Sequence, residues 1–230
     1  MKIYGLQKMT LLDYPGRVAC TVFLNGCDFR CPFCHNFDLA CGKAPAVMES
    51  EELLAFLEKR KGLLDGVAFT GGEPLLSAGL PDLLDRIRQM GFKIKLDTNG
   101  YHPDRLRQVL EEQMVDYVAM DIKNSPEKYA LTAGVASVDM GRIMDSISIL
   151  RESDVDYEFR TTVVKELHEA SDFEKMGEMI RGAGHYFLQP FVDRDSVPYE
   201  NLSAPSPEQM RAFAAIARKY VQETVLRGIE

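Results

Sequence analysis

A chain of 230 residues is long enough for one α/β domain with a full core, and 46% hydrophobic residues with 17 Gly and 11 Pro give it an ordinary globular composition. Its 27 Lys and Arg against 35 Asp and Glu leave a net charge of -8, which argues against an electrostatic nucleic-acid or membrane binder. Residues 1–10 lack the charged start and apolar core of a signal peptide, and no apolar run approaches the ~20 residues of a membrane span. A cytoplasmic protein with neither nucleic-acid nor membrane partners is expected.

Residues 1–16 read as a lead-in ending in the turn-prone Asp13-Tyr14-Pro15-Gly16. The short run 17–24, rich in Val, Thr and Phe, suits a buried strand. A cysteine-rich loop follows. Ser50 then caps a helix over 51–61, with Leu53, Leu54, Phe56 and Leu57 at helical spacing and Glu51 and Glu52 at the favourable N-terminus. Residues 66–70 form a second strand, ending in Gly71-Gly72-Glu73-Pro74. The alternation continues with helix 81–90, strand 92–98, helix 103–112, strand 115–122 and a long connection over 123–138. Helix 140–152, strand 156–164, helix 172–181 and strand 185–190 come next. A polar, proline-rich loop leads to a closing helix over 207–227, with Met210, Phe213, Ala214, Ile216, Ala217 and Val221 turned inward.

Six strands alternating with helices, without a break in composition, predict an α/β fold. The expected form is a single domain spanning 1–230, a partial, open parallel βα barrel of about six βα units. In such folds the chemistry sits where strands end and βα loops begin. The cysteine loop, residues 71–74, 97–100 and 121–123 all fall at or near strand ends, so one shared site is expected.

The cysteine loop carries Cys27-x₃-Cys31-x₂-Cys34. Three soft ligands on so short a loop can close on one face of an iron–sulfur cube and leave one iron open to a non-protein ligand. A structural zinc site would want a fourth protein ligand, for which His35, next to Cys34, is poorly placed. Zinc and plain core thiols remain as alternatives. Five cysteines crowded into the first fifth of the chain do not resemble a secreted disulfide framework. Cys20 reads as a buried thiol and Cys41 as a loop thiol.

These residues together resemble the radical S-adenosylmethionine enzymes: the cysteine motif with the aromatic Phe33 before its last Cys, then Gly71-Gly72-Glu73-Pro74 at the end of a strand. Asp13-Tyr14-Pro15-Gly16, Cys34-His35-Asn36, Asp97-Thr98-Asn99-Gly100 and Asp121-Ile122-Lys123 narrow the resemblance to activating enzymes of glycyl radical enzymes, above all the small activators of anaerobic ribonucleotide reductase. The resemblance implies one [4Fe-4S] cluster held by Cys27, Cys31 and Cys34. S-adenosylmethionine on the open iron would be cleaved by one electron to a 5′-deoxyadenosyl radical. It further implies that Gly71 and Gly72 let backbone approach the methionyl ammonium, with the charge of Glu73 beside it. Asp97, Thr98 and Asp121 would hold a small monovalent cation, and Lys123 would neutralise the cofactor carboxylate.

Other residues stay open at this level. His35 could bond a cluster sulfide or the cofactor, or satisfy the loop backbone. Arg160, costly to bury unpaired, wants a carboxylate or a ribose. Relatives place a His after Pro-Phe in the last strand, where this chain has Val192, so Gln189 is the substitute to examine. Only residues 35–70 separate Cys34 from Gly71, with Cys41 as their sole cysteine. No auxiliary cluster fits there, and the expected electron source is an external donor such as flavodoxin or ferredoxin. The expected partner is a glycyl radical enzyme. The rivals are a radical enzyme acting on a small molecule and a non-catalytic zinc or iron–sulfur protein.

Overall fold

Short apolar runs bounded by turn residues become parallel strands, and the stretches with 3.6-residue periodicity become the helices crossing between them. A computed structural model describes residues 1–229. In chain order it contains β1 (Lys2–Ile3), β2 (Gly5–Thr10), β3 (Ala19–Leu24), α1 (Phe37–Ala40), β4 (Met48–Glu49), α2 (Ser50–Glu58), β5 (Gly66–Gly71), α3 (Leu80–Gln89), β6 (Lys93–Thr98), α4 (Pro103–Glu111), β7 (Tyr117–Asp121), α5 (Tyr129–Ala133), α6 (Met140–Glu152), β8 (Asp156–Val163), α7 (Ala170–Met179), β9 (His185–Pro190), α8 (Pro207–Ala217) and β10 (Glu223–Leu226).

Eight strands form one sheet in the order β10-β9-β8-β7-β6-β5-β3-β2, and β1 pairs with β4 in a separate two-stranded ladder. Every neighbouring pair of the large sheet is parallel except β2–β3. The α/β, mostly parallel architecture is thus the expected one, with six central strands and two further edge strands. Both edges correct the sequence reading. The lead-in contains β1 and β2, and its Asp13–Gly16 turn tucks the Tyr14 ring, 2% exposed, against Gly66 and Tyr117. The closing helix stops at Ala217, and Glu223–Leu226 pairs with β9 instead of continuing it. Thr224 and Val225 are β-branched and favour the pleated surface. Just beyond, Arg227 donates to both oxygens of the buried Glu158, at 2.9 and 2.8 Å, while its guanidinium lies 3.6 Å from the Phe187 ring centre.

Smaller differences concern caps. Ser50 is the first residue of α2, whose capping box is made by Glu49 and Glu52. A Glu169–Asp172 box starts α7 two residues earlier than expected, at Ala170. The connection over 123–138 contains α5, which ends on Gly134 in the left-handed region.

Strand alternation divides the sheet into two faces. Val22, Phe69, Leu96, Met120 and Phe159 pack with Leu53, Leu57, Leu84, Leu106, Ile147 and Leu150 of the helices in one continuous core. A side chain such as Phe69, fully buried, would cost about 3–5 kcal/mol to truncate to Ala. The other face of β6, β7 and β8 carries Lys95, Asp97, Tyr117, Asp121, Glu158 and Arg160. Register sets Lys95 beside Tyr117 and Asp121 beside Arg160. No helix of the described residues is long and apolar enough to cross a membrane.

Candidate active site

The cysteine loop is held in place by backbone. Gly72 N donates to Leu24 O at 2.9 Å and Glu73 N to Gly26 O at 2.7 Å, so the end of β5 binds the start of the loop. A Cβ on Gly72 would lie 2.0 Å from Gly26 O, and one on Gly71, at φ +117°, 2.3 Å from Leu24 O. These glycines are therefore required by the loop itself, as well as lining the cavity beyond it. On the far side, Arg30 N donates to Ala133 O at 2.8 Å, pinning the loop to α5. Asn36 Nδ2 closes the third contact, donating to Gly71 O at 3.2 Å.

A cavity of about 210 Å³ opens over this loop, lined by Cys27, Cys31 and Cys34 together with Phe29, Phe33, His35, Asn36, Gly71, Gly72, Asp97, Thr98, Asn99, Asp121, Lys123, Arg160 and Thr162. A roomier cleft of about 770 Å³ lies at the opposite ends of the strands, among exposed Arg88, Lys93 and Asp156 and half-buried Asp116, and holds none of the thiols. Burial pushes the Cys27 thiol up to about 12, Cys31 to about 11 and Cys34 upward as well. Such thiols stay neutral until a metal ion displaces their protons. The described residues contain no three His, Cys, Asp or Glu groups converging on one ion position. Cys20 is fully buried in β3, away from the cavity, and Cys41 follows α1 as a free, half-buried thiol.

Asp97 and Asp121 face protein cations. Lys95 Nζ bonds Asp97 Oδ1, Arg160 Nη1 reaches Asp97 Oδ2 at 3.3 Å, and Arg160 Nε reaches Asp121 Oδ1 at 3.0 Å. Lys123 Nζ lies 2.9 Å from Asp121 Oδ2. Burial alone would raise both carboxyls, but Arg160 with Lys123 holds Asp121 down at about 2, and Arg160 with Lys95 holds Asp97 below its ordinary value. The carboxylates in turn keep Lys123 and Arg160 protonated against burial. Lys123 and Arg160 balance Asp97 and Asp121 on the cavity wall, and the buried Lys95 behind Asp97 adds one further positive charge, which suits a ligand carboxylate.

The same bonds leave little for the expected monovalent cation. The oxygens of Asp97 and Asp121 are engaged by Lys95, Lys123 and Arg160, and Thr98 Oγ1 donates to Glu73 Oε1 at 2.9 Å while accepting from Gly100 N. Asp97, Thr98 and Asp121 do not fit as a cation site here. Glu73 also differs from expectation, because it lies behind the cavity wall. It is fully buried and accepts from Leu75 N, Thr98 Oγ1 and Asn99 N at 3.1, 2.9 and 2.7 Å. Burial pushes its carboxyl up to about 7 despite those three donors.

His35 lines the cavity beside Cys34. Its Nε2 lies 2.6 Å from Val192 O and its ring stacks on Phe191, tying the cysteine loop to the segment after β9. Gln189 donates to Thr162 Oγ1 at 2.9 Å and does not line the cavity. Arg160 has its carboxylate partners, two of them. Sequence reasoning did not single out Lys95, Asn99 or the Asp28–His102 pair at 2.7 Å. Lys95 was detectable in principle, since it shares the strand phase of Asp97 and is 2% exposed in a strand where a lysine needs a partner.

The family model of the radical SAM superfamily matches residues 21–180, over two thirds of the chain. The chain belongs to the radical SAM superfamily. As a member it is an enzyme that uses a [4Fe-4S] cluster and S-adenosylmethionine, and the buried thiols, the neighbouring cationic wall and the open mouth fit both groups. Among curated relatives, a Methanocaldococcus jannaschii protein whose name assigns it to glycyl-radical enzyme activation is 28% identical over 99% of this chain and 96% of its own length. The Escherichia coli pyruvate formate-lyase 1-activating enzyme is 26% identical over 80% of this chain and 76% of its own. Among solved structures, Streptococcus suis SuiB bound to its precursor peptide SuiA superposes with a TM-score of 0.68 at 13% identity, over 90% of this chain and 48% of that one. That likeness concerns the fold alone.

Proposed function

We propose that this radical SAM enzyme is an activase that removes a hydrogen atom from a glycine Cα on a partner glycyl radical enzyme, an anaerobic ribonucleotide reductase before any other. The observation that carries the reading is the end-to-end match to a protein named for that activation, 96% of whose length this chain covers. The short span between Cys34 and Gly71 and the Asp13–Gly16 turn favour the small reductase-activating type over larger activators. The chain would work as one domain, in the cytoplasm, and draw its electron from flavodoxin or ferredoxin.

When bound, the cluster and S-adenosylmethionine supply the one-electron cleavage of the sulfonium S–C5′ bond. The residues of the chain do the rest. Cys27, Cys31 and Cys34 would hold three irons. Lys123 and Arg160, kept charged by Asp121 and Asp97, would seat the methionyl carboxylate. Phe29 and Phe33 give the cavity apolar walls that exclude water near the reacting atoms. Thr162 and Arg160, on the helix-free face of the sheet, border the mouth through which a glycine-bearing loop would enter.

The partner is tested by mixing reconstituted enzyme, S-adenosylmethionine and a reductant without oxygen with either the anaerobic ribonucleotide reductase or the pyruvate formate-lyase of the same organism. A glycyl radical doublet by electron paramagnetic resonance on the reductase supports the reading. A doublet on the lyase alone would reassign the partner.

A further inference from the structure

The sulfur of Cys27 is the one cluster thiol among the described residues that faces a side-chain amide. It receives Phe29 N at 3.4 Å and Asn99 Nδ2 at 3.7 Å. The Asn99 amide is held in one orientation, because its Oδ1 already accepts from Tyr101 N at 2.9 Å, which leaves Nδ2 to face the sulfur. Its backbone is held too. Asn99 N donates to Glu73 Oε2 at 2.7 Å, and Glu73 is in turn fixed by Thr98 and Leu75. Asn99 is 6% exposed and Glu73 fully buried, so water does not compete for these bonds.

An N–H donor on a coordinating sulfur stabilises the more electron-rich state of a cluster, and such bonds are one of the protein's means of setting its potential. We propose that Asn99 is a positioning residue that raises the reduction potential of the cluster through Cys27, and that Glu73 of the Gly-Gly-Glu-Pro turn serves as its anchor. The Glu73 carboxylate thereby acts on the cluster at second hand, through the loop after β6. Asn99 exchanges neither electron nor proton: the cluster takes one electron from an external low-potential donor, and the amide shifts the equilibrium of that transfer. The inference rests on the cluster assignment and is independent of which protein is the substrate.

The test is an anaerobic redox titration of the reconstituted cluster, read by optical absorption and electron paramagnetic resonance, for wild type, Asn99→Ser and Asn99→Asp. Serine keeps an oxygen to accept from Tyr101 N but cannot present the amide to Cys27. Loss of one hydrogen bond to a charged sulfur shifts the oxidised-to-reduced ratio on the order of tenfold, about 59 mV for a one-electron couple. The midpoint should therefore fall in Asn99→Ser and fall further in Asn99→Asp, where a carboxylate replaces the donor. A wild-type midpoint in Asn99→Ser would overturn the proposal, and a shift confined to Asn99→Asp would reduce it to a simple charge effect. Wild-type protein that takes up no iron would overturn the cluster assignment along with it, and iron content distinguishes that failure from the first.

Discussion

Glu73 gives the sharpest physical prediction, because its carboxyl is fully buried and its proton is held up to about 7 against an ordinary 4.5. The perturbation is Glu73→Gln, which preserves shape and cannot titrate. A carboxyl that binds its proton more tightly in the folded chain contributes most to stability below 4.5, and that contribution is lost as pH rises through about 7. Between pH 5 and pH 8 the differential proton binding removes about 2–3 kcal/mol from the wild type. Groups common to both proteins cancel in the comparison, including Asp97 and Asp121, whose stabilising ionisation is instead lost in acid. Urea unfolding of iron-free wild type and Glu73→Gln at the two pH values measures the difference. Wild type minus variant should shrink by about 2–3 kcal/mol on going to pH 8. A difference that does not change with pH would mean that Glu73 ionises like an exposed carboxylate and that the burial argument is wrong.

Three further outcomes are expected. Alanine at Cys27, Cys31 or Cys34 should abolish cluster absorption after reconstitution, whereas Cys20→Ala and Cys41→Ala should retain it; iron and sulfide analysis decides. Lys123→Ala removes a charge-assisted contact worth roughly 1.5–3 kcal/mol, so anaerobic calorimetry should find S-adenosylmethionine bound on the order of 10- to 100-fold more weakly with iron content unchanged, and unaltered affinity would remove Lys123 from the binding wall. Gly72→Ala drives a Cβ to 2.0 Å from Gly26 O, so the cysteine loop must shift, and iron uptake should fall while the circular dichroism of the fold persists.

Much of the architecture could be read before any coordinates because central parallel strands are buried on both faces and appear as continuous apolar runs. β3, β5 and β7 are of this kind, and β8 reads as a strand by alternation instead. The edge strands are not: β2 holds Gln7, Lys8 and Thr10 with three exposed positions, and β10 follows a helix whose apolar spacing runs on to Val221. The cysteine loop was legible from its spacing, and Gly71–Pro74 from its resemblance to the family motif at a strand end. What Asp97, Asp121 and Glu73 touch was not, since their partners Lys95, Arg160 and Asn99 are assigned by strand register and by a loop packing behind the sheet. A motif names the groups at a strand end, but only the register decides whether a carboxylate meets a cation, a ligand or another loop.

The central claim is that the hydrogen removed belongs to a glycine of a partner protein. The direct measurement uses a glycyl radical enzyme produced on α-deuterated glycine, mixed without oxygen with reconstituted activase, S-adenosylmethionine and reductant, and mass spectrometry of the 5′-deoxyadenosine formed. The account predicts 5′-deoxyadenosine carrying one deuterium, with a glycyl radical signal appearing on the partner. 5′-Deoxyadenosine formed in the presence of the partner but free of deuterium would contradict it.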